Sequence, residues 1–375
     1  MRADHNYPWA PGSATGIGSM PGTDPAEAMR VVAGELPDFP YLPELPDRGP
    51  GADLTGRTAA LLVDMPVEVT PRGWRLAERP GRDLARARSM LSADLDVLEE
   101  VLQGYRGTVK IQLCGPWTLA ATLELTRTMN VALSDPGAAA DLTASLAEAA
   151  AAHVAEVAKR VPGARLVVQI DEPALPSVVA GAVPTASGLS RLASVEDDTV
   201  QERLGQVLGA APGYTVVHCC ATTVPFGIIR AAGADAVSFD LGQLRRGEED
   251  GVAESAEAGM GILAGAVPTA PVPAGGDLDS VRTNGGFKAP RQLDSSRGSN
   301  PGDGSDAARQ TAERVIRLWQ RLGLPLATCP NQVVITPSCG LAGLSPAGAR
   351  AALTRCREAG SMLPELIEEI RGEQR

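Results

Sequence analysis

Aromatic side chains are scarce in this sequence: four Trp, four Tyr and four Phe, or 3% of 375 residues. With 44% hydrophobic residues overall, the core must be built largely from aliphatic side chains. Histidine is scarcer still, with three residues, His5, His153 and His218. No run of about eighteen apolar residues occurs, so no helical membrane span is expected. The opening stretch, Met1–Gly16, carries no apolar segment behind basic residues, so no secretory signal is expected and the expected location is cytoplasmic. A basic surplus is also missing. The formal net charge is −11 and the pI is about 4.9. That balance disfavours nucleic acid and anionic membranes as partners. The glycine-rich stretch Gly16–Gly22 lacks the lysine of a phosphate loop, which argues against nucleotide binding.

Short apolar runs alternate with helix-like stretches. This is the pattern of parallel strands joined by crossover helices. Eight strands are expected: Thr15–Met20, Ala59–Val63, Thr108–Cys114, Leu166–Ile170, Thr215–Cys220, Ala236–Asp240, Ile262–Val267 and Val333–Pro337. Several are rich in Val and Ile, as strands buried on both faces should be. Helices are expected over Asp24–Leu36, Arg82–Leu102, Asp135–Arg160, Asp197–Leu208, Val224–Ala232, Asp306–Leu322 and Ser345–Arg371, the last broken near Gly360 or Pro364. The count predicts an α/β chain folded as a single (β/α)8 TIM-type barrel over residues 1–375. Residues 271–304, rich in Gly, Ser, Pro and Asp, read as a mobile loop or insertion after the seventh strand.

The chemistry concentrates at strand ends. Thr215–Cys220 closes with His218-Cys219-Cys220. Residues two apart on a strand point the same way, so His218 and Cys220 share a side and Cys219 faces away. Cys339 follows the last strand and Asp240 ends the sixth. In a barrel these ends converge on one mouth, where His218, Cys220, Cys339 and Asp240 form a donor set suited to zinc. In a reducing compartment, clustered Cys and His favour a metal site over disulfides. Zinc among thiolates makes a bound thiol a thiolate at neutral pH, and the thiolate ligands blunt the Lewis acidity that hydrolysis needs. The expected reaction is therefore thiol alkylation. At the fourth strand end, Asp171 and Glu172 could take an ammonium group or act as acid and base. Glu68 in Asp64-Met65-Pro66-Val67-Glu68 could hold a substrate amine, and Trp117 could stack on a flat donor.

Four ordered segments together resemble the catalytic domain of cobalamin-independent methionine synthase: Ile17-Gly18-Ser19 with Pro21, Asp171-Glu172-Pro173-Ala174-Leu175, His218-x-Cys220, and Ser338-Cys339-Gly340-Leu341. The resemblance runs from about Gly16 to Leu344. It implies zinc held by His218, Cys220 and Cys339, with Asp240 where the family has a ligating Glu. It implies homocysteine as substrate, its ammonium on Asp171 with help from Glu68, and its carboxylate at Ile17 and Ser19.

Two departures matter. With 375 residues the chain has no room for the family's second, N-terminal barrel, so it is similar to the single-barrel core form. The histidine that the longer enzyme carries after its seventh strand, as proton donor to the departing folate, is missing from Ala264–Thr269. A nitrogen leaving group needs that proton, whereas a corrinoid leaves without one. The expected methyl donor is therefore methylcobalamin or a methylated corrinoid protein. Two alternatives are a coenzyme M type thiol alkyltransferase and a non-catalytic barrel relative.

Overall fold

A computed structural model of the chain describes residues 7–269 and 303–373. Two short strands, β1 (Val67–Thr70) and β2 (Gly73–Leu76), form an antiparallel hairpin. Six parallel strands then follow in sequence order: β3 (Thr108–Cys114), β4 (Arg165–Asp171), β5 (Tyr214–Cys219), β6 (Ala236–Asp240), β7 (Gly261–Val267) and β8 (Val333–Pro337). They make one curled sheet, half a barrel, with helices on its outer face. All six were expected from the sequence, within a residue at each end.

The other two expected strands do not form ladders. Thr15–Met20 lies in an extended segment with single bridges only, Ala14 to Ile335 and Ser19 to Glu44. Gly16 and Gly18 give it no side chains to pack at those positions. The Ala59–Val63 reading is corrected: its start ends a helix, Leu54–Ala59, and the rest turns away. Asp53 caps that helix by accepting from the Gly56 N–H at 2.7 Å. The place beside β3 goes instead to the segment Phe39-Pro40-Tyr41-Leu42-Pro43-Glu44, where Tyr41 bridges to Lys110. Pro40 and Pro43 have no N–H to give, which limits this stretch to isolated bridges. Hydrogen bonds join Leu42 to Lys110 (2.9 Å), Thr15 to Ile335 (3.1 Å) and Met20 to Glu44 (2.8 Å). The two edges of the sheet are thus linked through these two extended segments.

The inner face changes character from bottom to top. At its base Val167, Val216, Ala236, Leu263 and Val334 pack with Trp9 and Phe39 as an apolar floor. One pleat higher on the first three of these strands stand Gln169, His218 and Ser238. The apolar floor seals the structure, and the polar residues lie toward the strand ends where a substrate can enter. The larger aliphatic core fills the space between sheet and helices.

The helices agree with expectation over Pro25–Glu35, Arg82–Val101, Pro136–Arg160, Asp197–Ala210, Phe226–Ala231 and Asp303–Arg321. The final helix, Pro346–Glu373, runs through Pro364 without the expected break. Gly360, four residues earlier, packs against Gly12 so closely that a Cβ at Gly360 would collide with the Gly12 carbonyl. Of residues 271–304, read as a loop, all but Asp303 and Gly304 lie outside the described residues; those two begin the helix Asp303–Arg321. Among the described residues no helix is long and apolar enough to cross a membrane.

Candidate metal centre

The period of two along β5 turns His218 inward, and its register neighbours are Asp171 on β4 and Ser238 on β6. His218 Nδ1 lies 2.9 Å from Ser238 Oγ. The other ring nitrogen, Nε2, is buried and has no hydrogen-bond partner. An orphaned buried nitrogen is costly unless something pairs with it. Two sulfurs stand near the His218 ring. Cys220 Sγ and Cys339 Sγ are 3.3 Å apart, and the donor atoms of His218, Cys220 and Cys339 all lie within 4.8 Å of one another. Cys220 comes directly after β5 and Cys339 from the turn after β8, so only the curl of the sheet brings them together.

An imidazole nitrogen and two thiols together suit a borderline-soft divalent ion such as zinc. The Cys220 thiol beside it, and then His218, hold Cys339 well below the ordinary thiol range. Cys220 is pushed up in turn, by that same contact and by burial. Of the two sulfurs, Cys339 is therefore the one that ionises more readily. Among the described residues all six cysteines are free thiols, and Cys219 points out of the strand into the core.

Asp240, the fourth expected ligand, is not in this cluster. Its Oδ1 accepts from the Gly242 N–H at 2.7 Å, and its Oδ2 accepts from Gln243 Nε2 at 3.0 Å. Gln243 also donates to the Cys220 carbonyl at 3.0 Å. Asp240 therefore shapes the turn behind the cysteine.

The adjacent acids of β4 divide between two tasks. Asp171 faces inward and its Oδ1 accepts from Gln169 Nε2 at 2.7 Å. Burial raises it to about 6, against the pull of His218 and Lys110. Glu172 faces the helix layer. It accepts from the Trp117 N–H (2.9 Å), the Thr118 N–H (2.8 Å) and Thr118 Oγ1 (2.7 Å). It thereby caps the helix Pro116–Thr122, and burial pushes it up to about 7.

That cap also decides where Trp117 goes. The ring is buried in the helix layer, with Nε1 donating to the Val200 carbonyl at 3.1 Å and Arg203 5.5 Å above it. The expectation that Trp117 offers a stacking face to a donor is corrected accordingly. Glu68 is likewise elsewhere engaged, ion-paired with Arg75 at 2.5 Å across the β1–β2 hairpin.

Ser19 lies against the loop that carries Cys339, and Ile17 lies against Lys110 and Gln169. The Ser19 carbonyl accepts from the Leu341 N–H at 2.8 Å. Its hydroxyl packs on Gly340, where a side chain would not fit, next to Cys339. The Ile17 carbonyl accepts from Lys110 Nζ at 2.6 Å and from Gln169 Nε2 at 2.9 Å.

Lys110, Gln112, Gln169 and Glu44 were not singled out from the sequence. Lys110 is fully buried and lowered to about 8 by burial, countered by Asp171 and Glu44. Burial lifts Glu44 to about 7, countered by Arg57 and Lys110. A signal existed: in Thr108-Val109-Lys110-Ile111-Gln112 and Val168-Gln169-Ile170-Asp171, polar residues recur every second position inside otherwise apolar strands. In a strand buried on both faces, that period marks a polar interior.

The model of one protein family, described as "Cobalamin-independent synthase, Catalytic domain", matches residues 13–274. The matched stretch includes Ile17, Ser19, Asp171, His218 and Cys220 and ends before Cys339. No curated protein matches the chain. With most of its length matched, the chain belongs to the family of cobalamin-independent synthase catalytic domains.

Proposed function

We propose that this methyltransferase-family chain is a zinc-dependent enzyme that methylates the thiol of L-homocysteine to give methionine. The reading rests above all on His218 Nε2, buried and unpartnered among two thiols. His218, Cys220 and Cys339 would hold the zinc, leaving its fourth position for the substrate sulfur. Zinc held there would lower the pKa of a substrate thiol and leave the thiolate nucleophilic. Ser238 fixes the His218 ring through Nδ1, so that Nε2 stays free to coordinate. Asp171, oriented by Gln169, takes the substrate ammonium. The Ile17–Ser19 segment takes the carboxylate. The two extended segments at the sheet edges supply the seventh and eighth staves of a (β/α)8 barrel, and the chain forms one cytoplasmic domain.

The donor follows from the acids at hand. His153 is buried in the helix Pro136–Arg160 and lowered to about 4, by burial first and by Arg57 next. A neutral, enclosed imidazole of that kind does not protonate a departing folate nitrogen. Methylcobalamin or a methylated corrinoid protein, which leaves without a proton, fits better.

The test is purified zinc-loaded protein given homocysteine and either methylcobalamin or methyltetrahydrofolate. Methionine from the corrinoid alone is expected. Comparable turnover with the folate would contradict the donor assignment. Transfer to coenzyme M but not to homocysteine would favour the coenzyme M type of thiol alkylation.

A further inference from the structure

We infer that Lys110 and Gln169 are positioning residues that clamp the Ile17 carbonyl and so give the pocket its preference for a thiol carrying an amino-acid head. The inference rests on the thiol-methylating role proposed above. Both side chains are completely buried, and Gln112 beside them is 2% exposed. A lysine is almost never fully buried without a partner that repays its lost hydration. Here the ammonium gives one hydrogen bond to the Ile17 carbonyl at 2.6 Å and one to Gln112 Oε1 at 3.2 Å. Gln112 is held in turn by the Leu42 carbonyl. Gln169 Nε2 reaches the same Ile17 carbonyl at 2.9 Å and Asp171 Oδ1 at 2.7 Å. Gln112 and Gln169 are register neighbours on β3 and β4, so the clamp is built on the sheet.

These bonds join three places that an amino-acid thiol would touch at once. Gln169 sets Asp171, on the ammonium side. Lys110 and Gln169 together set Ile17, and Ser19 two residues on is bonded to the loop behind Cys339. Cys339 itself belongs to the sulfur side. Releasing the clamp should disturb the grip on the head of the substrate and leave the grip on its sulfur.

Cobalt(II)-substituted protein tests this, because thiolate binding to cobalt is read directly from its absorption and needs no methyl donor. Homocysteine and 1-propanethiol share the sulfur and differ in the head. The wild type should prefer homocysteine. In Lys110→Met and in Gln169→Leu that preference should fall by about 10-fold or more, with cobalt content and 1-propanethiol affinity unchanged. The double variant should be little worse than either single one, since both side chains act on one carbonyl. Gln169→Leu leaves every buried charge in place, so it carries the test if Lys110→Met does not fold. Equal weakening of both thiols, or an unchanged preference, would overturn the inference alone. Failure of the wild type to bind either thiol would overturn the proposed function and this inference with it.

Discussion

Cys339→Ser should reduce bound zinc from about one per chain to a small fraction of that, and methyl transfer to homocysteine should fall by more than about 100-fold. The substitution changes little in shape. A serine hydroxyl stays protonated at neutral pH and is a harder donor than sulfur, so it is a poor substitute for a thiolate ligand. It also removes the sulfur that contacts Cys220 across 3.3 Å. Without the metal, a thiol of ordinary pKa, about 8.5, is only a few per cent thiolate at pH 7. The nucleophile would be scarce as well as unplaced. Cys339 sits after β8 in a half-buried turn, so the fold should survive, and the melting temperature checks this. Cys219→Ser is the control. That thiol points into the core, so the variant should lose some stability and keep its zinc.

The second large effect separates two neighbouring acids. Glu172→Ala should cost about 3 kcal/mol or more of folding stability, because it strands three buried donors at once. They are the Trp117 N–H, the Thr118 N–H and the Thr118 hydroxyl. A cavity where the carboxylate stood adds to the loss. Asp171→Asn, nearly the same shape, should leave the denaturation midpoint close to that of the wild type. Instead it should raise the KM for homocysteine by about 10- to 100-fold, the usual worth of a charged hydrogen bond. Chemical denaturation and steady-state kinetics on the two variants read the two effects independently. Equal stability losses in both would mean that Asp171 is a structural acid like its neighbour.

Much of this arrangement is legible in the sequence where one periodicity governs. Six apolar runs bounded by Gly, Pro or polar residues became β3 to β8, and the period of two within Thr215–Cys220 put His218 and Cys220 on a common side. Legibility failed where backbone chemistry competed with hydrophobicity. Ala59–Val63 has a strand-like composition, yet Asp53 caps a helix just before it. The stretch around Tyr41, with Pro40 and Pro43, lacks the unbroken apolar run of a strand, yet it lies beside β3. The β1–β2 hairpin has only a weak signal, the proline and glycine at turn positions in Thr70-Pro71-Arg72-Gly73. Side-chain partners were the hardest to foresee. Asp240, Glu68 and Trp117 occupy strand or helix ends that sequence alone places near the mouth. Their actual partners, Gly242 and Gln243, Arg75, and Val200, are set by local turns and by the Glu172 cap. Lys110 and Gln169 were visible as polar residues in apolar strands. What they hold, the Ile17 carbonyl, comes from a segment roughly 90 to 150 residues away in sequence, and only the curl of the sheet brings it there.

The central claim is that His218, Cys220 and Cys339 hold zinc and present it to a substrate thiol. X-ray absorption at the zinc edge of the purified protein, before and after homocysteine, tests it most directly. The expected resting signal has one nitrogen and two sulfur neighbours, and homocysteine should add a third sulfur at about 2.3 Å. Zinc whose sulfur count stays the same when homocysteine is added would contradict the account, as would purified protein that holds no zinc.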